Sequence, residues 1–227
     1  YALNEDDVSD LYGSMFPKEL VLHLELNGNL QDSSGNDNNG TFQGSGAPDY
    51  VDGYRGGTKA IKFNGVGDYV NVPSFIPPSG SSSFTTSVWF NPDSHSNQKA
   101  MVGWGEGTSN KSNVIRLNTS GGVGLKHYFH TNDLNVTTGD LSGKWNHVVV
   151  TYDGSTRIIY LDGNNIASDN PTTPNVTGSN FQIGNNGYSS EYFNGSIDDV
   201  RIYDAALSHD DIYKLYKGKI ELSTNFN

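Results

Sequence analysis

The sequence contains no cysteine among its 227 residues, so no disulfide contributes to its stability. A chain of this length buries enough surface to fold without cross-links, and the lack of cysteine alone does not assign a compartment. No apolar run approaches the roughly 18 residues of a membrane-spanning helix, which argues against direct membrane insertion. No charged-then-apolar leader opens the chain, and we expect Tyr1 to be an internal position of a longer polypeptide.

Charged residues are also scarce, at 17% against about 25% in typical globular domains. Acidic residues outnumber basic ones, and the formal net charge is −11. A negative surface repels phosphate backbones and sulfated glycans, so nucleic acids and polyanionic glycans are disfavoured as partners. Neutral glycans and cell-surface proteins stay open as partners.

Glycine is abundant, with 27 residues, and apolar residues alternate with polar ones over short segments between turn signals. Such period-two alternation predicts half-buried strands. Segment 145–168 predicts three consecutive antiparallel strands, because Asp153-Gly154 and Asp162-Gly163 suit tight hairpin turns. The fold class is therefore all-β. Further strands are predicted at 20–26, 60–64, 69–72, 84–90, 114–117, 124–129, 181–185 and 195–203.

One short helix is predicted near the C-terminus. Ser208, followed by Asp211 three residues on, resembles a capping box with Asp in place of Glu. Ile212 and Leu215 then share one helical face, and Gly218 is a suitable stop.

Residues 2–12 resemble residues 206–216, which include this helix. The similarity predicts a tandem array in which 1–15 is the tail of an upstream repeat or a linker. Two amphipathic helices that converged on one composition are the alternative. The domain itself is then predicted to span 16–218, with 219–227 a linker or the start of the next module.

Five segments occur in the order typical of the laminin-G-like (concanavalin A-like) jelly-roll family, and the chain resembles that family from about 20 to 216. They include AIKFNGVGDYVNVP, WNHVVVTYDGSTRIIYLDG and FNGSIDDVRIYDAALSHDDIYKLY. The resemblance implies a two-sheet antiparallel jelly-roll sandwich with the first and last strands adjacent. It also implies a frequent structural calcium ion and roles in adhesion or glycan binding. The five segments are 24–42, 60–73, 84–93, 145–163 and 193–216.

Segment 32–41 is dense in oxygen-bearing side chains, and calcium takes six to eight oxygen ligands. A solvated turn is the alternative, because Asn, Asp, Ser and Gly are ordinary loop residues. Asp198 has the strand parity of the apolar Val200, and a carboxylate that faces a core needs a partner or a metal. In the family this loop and strand lie together and hold calcium. The predicted calcium ligands are Asp32, Asn36, Asn39, Asp198 and Asp199, with Asp68, in a hairpin connection at 64–69, as a separate metal candidate.

Three aromatic groups are candidates for stacking against sugar rings. The first is Trp104 with Glu106, in a glycine-rich segment; ordinary surface packing is the alternative for all three. Trp89 and Trp145 match family positions that are usually packed, and we expect them in the core. The other two groups are Tyr128 with His130 and Asn132, and Tyr188 with Tyr192.

The sequence shows no glycosidase carboxylate triplet, no Gly-x-Ser-x-Gly elbow, no zinc-protease motif and no phosphate loop. It therefore predicts a calcium-stabilised, non-catalytic carbohydrate-binding or adhesion module of a larger extracellular or cell-surface protein. The alternative is a structural spacer or protein–protein interaction domain in a tandem surface array.

Overall fold

The computed structural model describes residues 20–96, 98–119 and 122–218, and the predicted flanking segments 1–15 and 219–227 lie outside this part. The described residues form strands and one helix. These are β1 (Leu20–Leu24), β2 (Thr41–Gln43), β3 (Asp49–Asp52), β4 (Lys59–Asn64), β5 (Tyr69–Asn71), β6 (Phe84–Pro92), β7 (Lys99–Gly105), β8 (Ser112–Asn118), β9 (Gly124–Tyr128), β10 (Asp133–Thr137), β11 (Asn146–Tyr152), β12 (Arg157–Leu161), β13 (Asn164–Asp169), β14 (Gln182–Ile183), β15 (Asn194–Tyr203) and α1 (His209–Lys217).

Two antiparallel sheets pack face to face. The eight-stranded sheet has the order β13-β12-β11-β6-β15-β4-β3, with β1 also paired to β15. The seven-stranded sheet has the order β10-β9-β8-β7-β14-β5-β2. The first and last strands are adjacent, with Leu24 opposite Val200. This architecture confirms the predicted jelly-roll sandwich.

The local hairpin signals are confirmed. Strands β11, β12 and β13 pair in succession, and Asp162 and Gly163 take the positive φ values of 50° and 80° that a tight turn needs. Alternation along 20–26 predicts one common face for Leu20, Leu22, Leu24 and Leu26, and the last three of these do lie in the core. The prediction does not hold for Leu20, because an irregularity in the β1–β15 register turns this side chain to the opposite face.

The prediction that Trp104 stacks against a sugar ring is wrong, because its side chain is fully buried at 0% exposure. Its indole Nε1 donates to the Pro78 carbonyl at 3.1 Å. The glycines beside it are strand positions of close approach, not loop residues. A Cβ on Gly103 would stand 2.8 Å from Asn186 Cα, and one on Gly105 would stand 2.2 Å from the Lys111 carbonyl oxygen.

Helix α1 covers the outer face of the eight-stranded sheet and is capped as predicted. The Ser208 hydroxyl accepts from the Asp211 N–H, the Asp211 carboxylate accepts from the Ser208 N–H, and Gly218 is left-handed at φ 66°. Ile212 and Leu215 pack on this face in a cluster separate from the inter-sheet core. No helix in the described part of the chain is long and apolar enough to cross a bilayer.

The same face holds the two tryptophans that were expected in the core. Trp89 is buried, but it stacks between Tyr54 at 4.1 Å and Tyr216 of α1 at 5.7 Å, outside the inter-sheet core. Trp145 is half-buried and meets the Tyr54 ring edge-on. The expected packing is therefore confirmed for Trp89, which is buried on the outer face of the sheet, and is wrong for Trp145, which is only half-buried.

A polar network crosses the space between the sheets at one edge. Arg157 of β12 is fully buried, and its Nε donates to Asp169 at 2.9 Å. Its Nη1 donates to His127 Nδ1 at 3.2 Å, so His127 donates through Nε2 to the Asn113 side chain. Burial first, and then the Arg157 charge, hold the pKa of His127 well below its usual value. The network therefore fixes β9 against the opposite sheet.

We expect Arg157→Ala to lower the free energy of unfolding by about 3 kcal/mol, because it strands the acceptors on Asp169 and His127. Urea denaturation measures this change. Lys59→Ala, which removes an exposed ion pair with Asp52, is the control and should cost less than about 1 kcal/mol. Equal effects of the two substitutions would contradict the role given to the network.

Candidate functional site

A groove of 600 Å³ opens on the outer face of the seven-stranded sheet, over β8, β9 and β10. Strand alternation puts it there. Ile115 and Leu117 of β8 face the core, so Arg116 between them faces outward, and Tyr128 faces outward beside the core residue Phe129. The groove is lined by Gln98, Gly107, Arg116, Tyr128, His130, Thr131, Asp133, Tyr188, Ser189 and Glu191.

An ion pair over an aromatic ring forms the centre of this groove. The Arg116 guanidinium lies 4.4 Å from the centroid of the Tyr128 ring, and Arg116 Nη1 donates to Glu191. Burial raises the pKa of Glu191, while the charge of Arg116 opposes the rise. Burial, together with the Glu191 charge, also raises the pKa of Tyr128. The centre of the groove therefore combines a cation and an anion that neutralise each other.

The wall at Tyr188 is held in place before any ligand arrives. The Tyr188 hydroxyl donates to the Tyr128 hydroxyl at 2.7 Å. Asn186 Oδ1 accepts from the N–H groups of Tyr188, at 3.2 Å, and Ser189, at 2.8 Å, which fixes the turn. A Cβ on Gly107 would stand 2.7 Å from the Tyr188 ring, so only glycine leaves room for the ring at this position.

A second hollow, of 340 Å³, continues on the other side of Tyr188. The rings of Tyr69 and Tyr192 lie in it with centroids 6.3 Å apart and planes inclined at 32°. Its lining contains no ionisable acid or base other than tyrosine. The lining residues are Tyr69, Gln182, Asn185, Gly187, Tyr188, Ser189, Ser190 and Tyr192.

The structure brings together four of the predicted ligand-binding residues. Tyr128, His130 and Tyr188 line the groove, and Tyr188 and Tyr192 line the second hollow. Residues of the two predicted aromatic groups thus lie on one surface, and Tyr188 lines both hollows.

Two other predicted residues have different partners. The Asn132 side-chain amide donates to the Thr172 main-chain carbonyl at 2.6 Å, and the Asn132 main-chain carbonyl accepts from Arg157 Nη1 at 3.0 Å. Glu106 lies beside the groove residue Gly107 but pairs with Lys111 at 3.5 Å.

The residues at the centre of the groove, Arg116 and Glu191, are ones that sequence reasoning missed as site residues. The usable signal was Arg116 itself, a charged residue between two core positions of one strand. Among the described residues, Arg116 Nε and His130 Nδ1 are buried atoms without a hydrogen-bond partner.

The loop at 32–39 is organised by its own side chains. The Asp32 carboxylate accepts from the N–H groups of His23, Ser34 and Asn38 and from the Ser34 hydroxyl. Burial raises the pKa of Asp32, but these hydrogen bonds outweigh it and leave the pKa lowered. Asn39 Oδ1 accepts from the Asp32 N–H. The Asn36 amide donates to the Ser34 hydroxyl at 3.0 Å.

Asp198 and Asp199 both face outward, which corrects the expectation that Asp198 points toward the core. A β-bulge shifts the register of β15 against β6 between Asp198 and Arg201, and Asp199 takes a left-handed φ of 46°. The extra residue restores Val200 to the core and leaves both carboxylates beside a cavity of 180 Å³. Sequence parity fails here because a bulge breaks the period of two.

The two carboxylates differ in their partners. Asp199 pairs with Arg201 Nε at 2.9 Å and with His23 Nε2 at 2.7 Å, and these partners hold its pKa below the usual range against the opposing effect of burial. Asp198 is 2% exposed and accepts from the Tyr54 N–H at 3.1 Å. Burial raises the pKa of Asp198 to about 7, and the charge of Asp199 adds to the rise.

These contacts test how well the predicted residues fit a calcium ion. The oxygens of Asp32 and Asn39 are engaged within their loop, and Asp199 is neutralised by Arg201, so the five residues do not form one ligand set. Asp198 is a buried carboxylate in a cavity with other oxygen-bearing side chains, Glu25 and Thr58, although His23, Arg55 and Arg201 line the same cavity. No cluster of three or more His, Asp or Glu side chains suited to a metal occurs in the described ranges.

The separate metal candidate, Asp68, lies in the β4–β5 turn, where its carboxylate accepts from the Asn64 N–H at 3.3 Å.

The chain belongs to the concanavalin A-like lectin/glucanases superfamily. The model of that family matches residues 64–213, which is more than half of the chain. The match agrees with the sandwich and with the resemblance found in the sequence.

Solved structures with similar folds include binding domains. Domain 4 of AbnA, an extracellular GH43 arabinanase from Geobacillus stearothermophilus solved with arabinotriose, superposes with a TM-score of 0.70 at 24% identity, over 88% of this chain and 98% of that one. The binding domain of Paraclostridial Mosquitocidal Protein 1 superposes with a TM-score of 0.69 at 19% identity, over 88% of this chain and 52% of that one. At these identities the likeness shows the fold alone.

A curated relative is the Adhesion G-protein coupled receptor V1 of Danio rerio. The two are 26% identical over an alignment of 181 residues, and the alignment covers 70% of this chain. The match spans 3% of the receptor's length, so this chain resembles one small part of it.

The pKa of Asp198 predicts how stability depends on pH. Folding raises this pKa from 3.8 to about 7, so between about pH 4 and pH 7 the native state holds a proton that the unfolded chain has lost. Stability should therefore fall as the pH rises through that window, and Asp198→Asn should remove much of the fall. Urea denaturation at pH 5 and pH 8, in chelator, measures it. Identical pH dependence in the two proteins would contradict the assignment.

Proposed function

We propose that this domain is a non-catalytic binding module and that an uncharged carbohydrate occupies the groove against Tyr188, over the Arg116–Glu191 pair. The observation that carries the proposal is a preorganised groove, in which Tyr188 is held against Tyr128 beside the paired Arg116 and Glu191 side chains. Tyrosine offers an apolar face for the C–H surface of a sugar ring and a hydroxyl for its polar edge. Binding sites commonly combine aromatic walls with a few placed polar groups in this way.

The charges favour an uncharged ligand over an anionic one. Arg116 is paired with Glu191, and Asp133 at the rim is paired with Lys126 at 2.9 Å. No cation of the groove centre is therefore free to hold a sulfate or a carboxylate, and the net charge of −11 repels polyanions at long range.

The same pairing argues against glycoside hydrolysis. That reaction requires one carboxylic acid and one carboxylate on either side of the scissile bond. The two groove carboxylates, Glu191 and Asp133, each have a basic partner. We propose that the groove retains its ligand unchanged.

The similar proteins support both a binding role and an extracellular location for this domain. Domain 4 of AbnA was solved with arabinotriose and belongs to an extracellular arabinanase, and other neighbours are toxin binding domains. The curated relative is an adhesion receptor. We propose that this domain is likewise an extracellular module of a larger protein.

We expect a glycan array, followed by titration calorimetry on the neutral polysaccharides it identifies, to detect binding. Tyr188→Ala should weaken that binding at least about tenfold, because it removes a wall shared by both hollows. Tyr213→Ala is the matched control, since this exposed tyrosine lies on α1, on the other sheet's face. It should leave affinity unchanged.

Either of two results would contradict the proposal. One is a folded protein that binds no neutral glycan, which would favour the spacer or protein-interaction alternative. The other is a Tyr188→Ala variant that binds as well as Tyr213→Ala, which would place the glycan elsewhere.

We also propose that calcium binds in the cavity beside Asp198 and stabilises the fold. The support is the buried Asp198 carboxylate, which accepts from the Tyr54 N–H, with Glu25 and the Thr58 hydroxyl as further oxygen ligands in the same cavity. Arg55 and Arg201 line the same cavity, but Arg201 is taken by Asp199. Calcium there would join the β1 end to β15 through these side chains.

We expect calcium to raise the melting temperature by about 5 °C or more over chelator, since a ligand that binds only the native state stabilises it. Asp198→Asn should abolish the increment. Asp32→Ala should lower the melting temperature equally with and without calcium, because Asp32 acts through hydrogen bonds in its loop. An unchanged melt of the native protein in excess chelator would remove the calcium proposal.

A further inference from the structure

We infer that the ligand is a chain of several sugar rings that crosses Tyr188 and occupies both hollows at once, rather than a single terminal sugar. This inference rests on the proposed function, since it specifies the ligand of the same site.

The two hollows form one continuous surface. Tyr188 and Ser189 line both of them, so no other segment separates the groove from the second hollow. The far walls are Asp133 on β10 and Tyr69 on β5, which are five steps apart in the strand order of the sheet. At about 4.8 Å per strand the surface extends for roughly 24 Å. A single sugar ring covers only part of that length.

The hollows also differ in chemistry, which suits successive rings of a chain. The first hollow holds the Arg116–Glu191 pair, with donors and acceptors of full charge. The second holds only amides, hydroxyls and the inclined rings of Tyr69 and Tyr192. Both present groups for hydroxyls, and neither holds an unpaired cation for an anionic ring.

The ridge between the hollows is built to keep its shape. Asn186 fixes the turn that carries Tyr188, and its amide also donates to the Ser189 hydroxyl at 2.7 Å. Asn185 Oδ1 accepts from the Glu191 N–H at 3.1 Å, which ties the second hollow to the charged centre of the first. A ligand that spans both hollows therefore meets a surface already in its bound form, which lowers the entropic cost of binding.

The test is titration calorimetry with linear arabino-, xylo- and cello-oligosaccharides of one to six rings. The native protein should show a Kd that falls at least about tenfold between the shortest and longest chains of the series that binds. In Tyr192→Ala, and in Tyr69→Ala as a second variant of the same hollow, this length dependence should disappear. Tyr213→Ala should keep it, and thermal melts check that each variant is folded.

The possible outcomes distinguish a failure of the two-hollow inference from a failure of the proposed function. One Kd for all chain lengths, or a length dependence that survives both second-hollow variants, would overturn the two-hollow inference and leave the proposed function standing. No binding of any oligosaccharide or neutral polysaccharide by folded protein would overturn the proposed function itself.

Discussion

Strand β15 holds the fold together, because three other strands, β1, β4 and β6, are hydrogen-bonded to it. The first half of β15 is bonded between β4 and β6, and its second half between β1 and β6, with the Asp199 bulge at the change. This sharing joins the two ends of the described domain and leads the chain directly into α1. Because α1 and its aromatic stack then cover the eight-stranded sheet, the outer face of the seven-stranded sheet is left for the groove.

The groove takes its rigidity from the opposite side of the same strands. His127, on the inner side of β9, is held by Arg157 of the other sheet, while its neighbour Tyr128 forms the outer wall. On β8, the core residues Ile115 and Leu117 flank Arg116. Packing and recognition thus alternate along single strands, so the binding surface is fixed by the core beneath it.

Local signals in the sequence predict the fold well, and they predict the site only in part. The Asp-Gly hairpins and the Ser208 capping box depend on a few adjacent residues, and both are confirmed. The outward turn of Asp198 depends on a bulge, and the burial of Trp104 depends on glycines that admit distant main chain, so neither follows from alternation. Arg116 and Glu191 are 75 residues apart in the chain, and a single sequence does not reveal that they pair. The tyrosines were found because their residue type suits sugars, but their union around Tyr188 is a property of the fold.

The most direct test of the binding surface is an amide chemical-shift titration of isotope-labelled protein with the neutral oligosaccharide that the array identifies. We expect saturable shifts for residues 128–133 and 185–192, which contribute to the lining of the two hollows, and unchanged amides along α1 and around Trp89. Shifts confined to the α1 face, or to the cavity beside Asp198, would contradict binding of a carbohydrate in the groove against Tyr188.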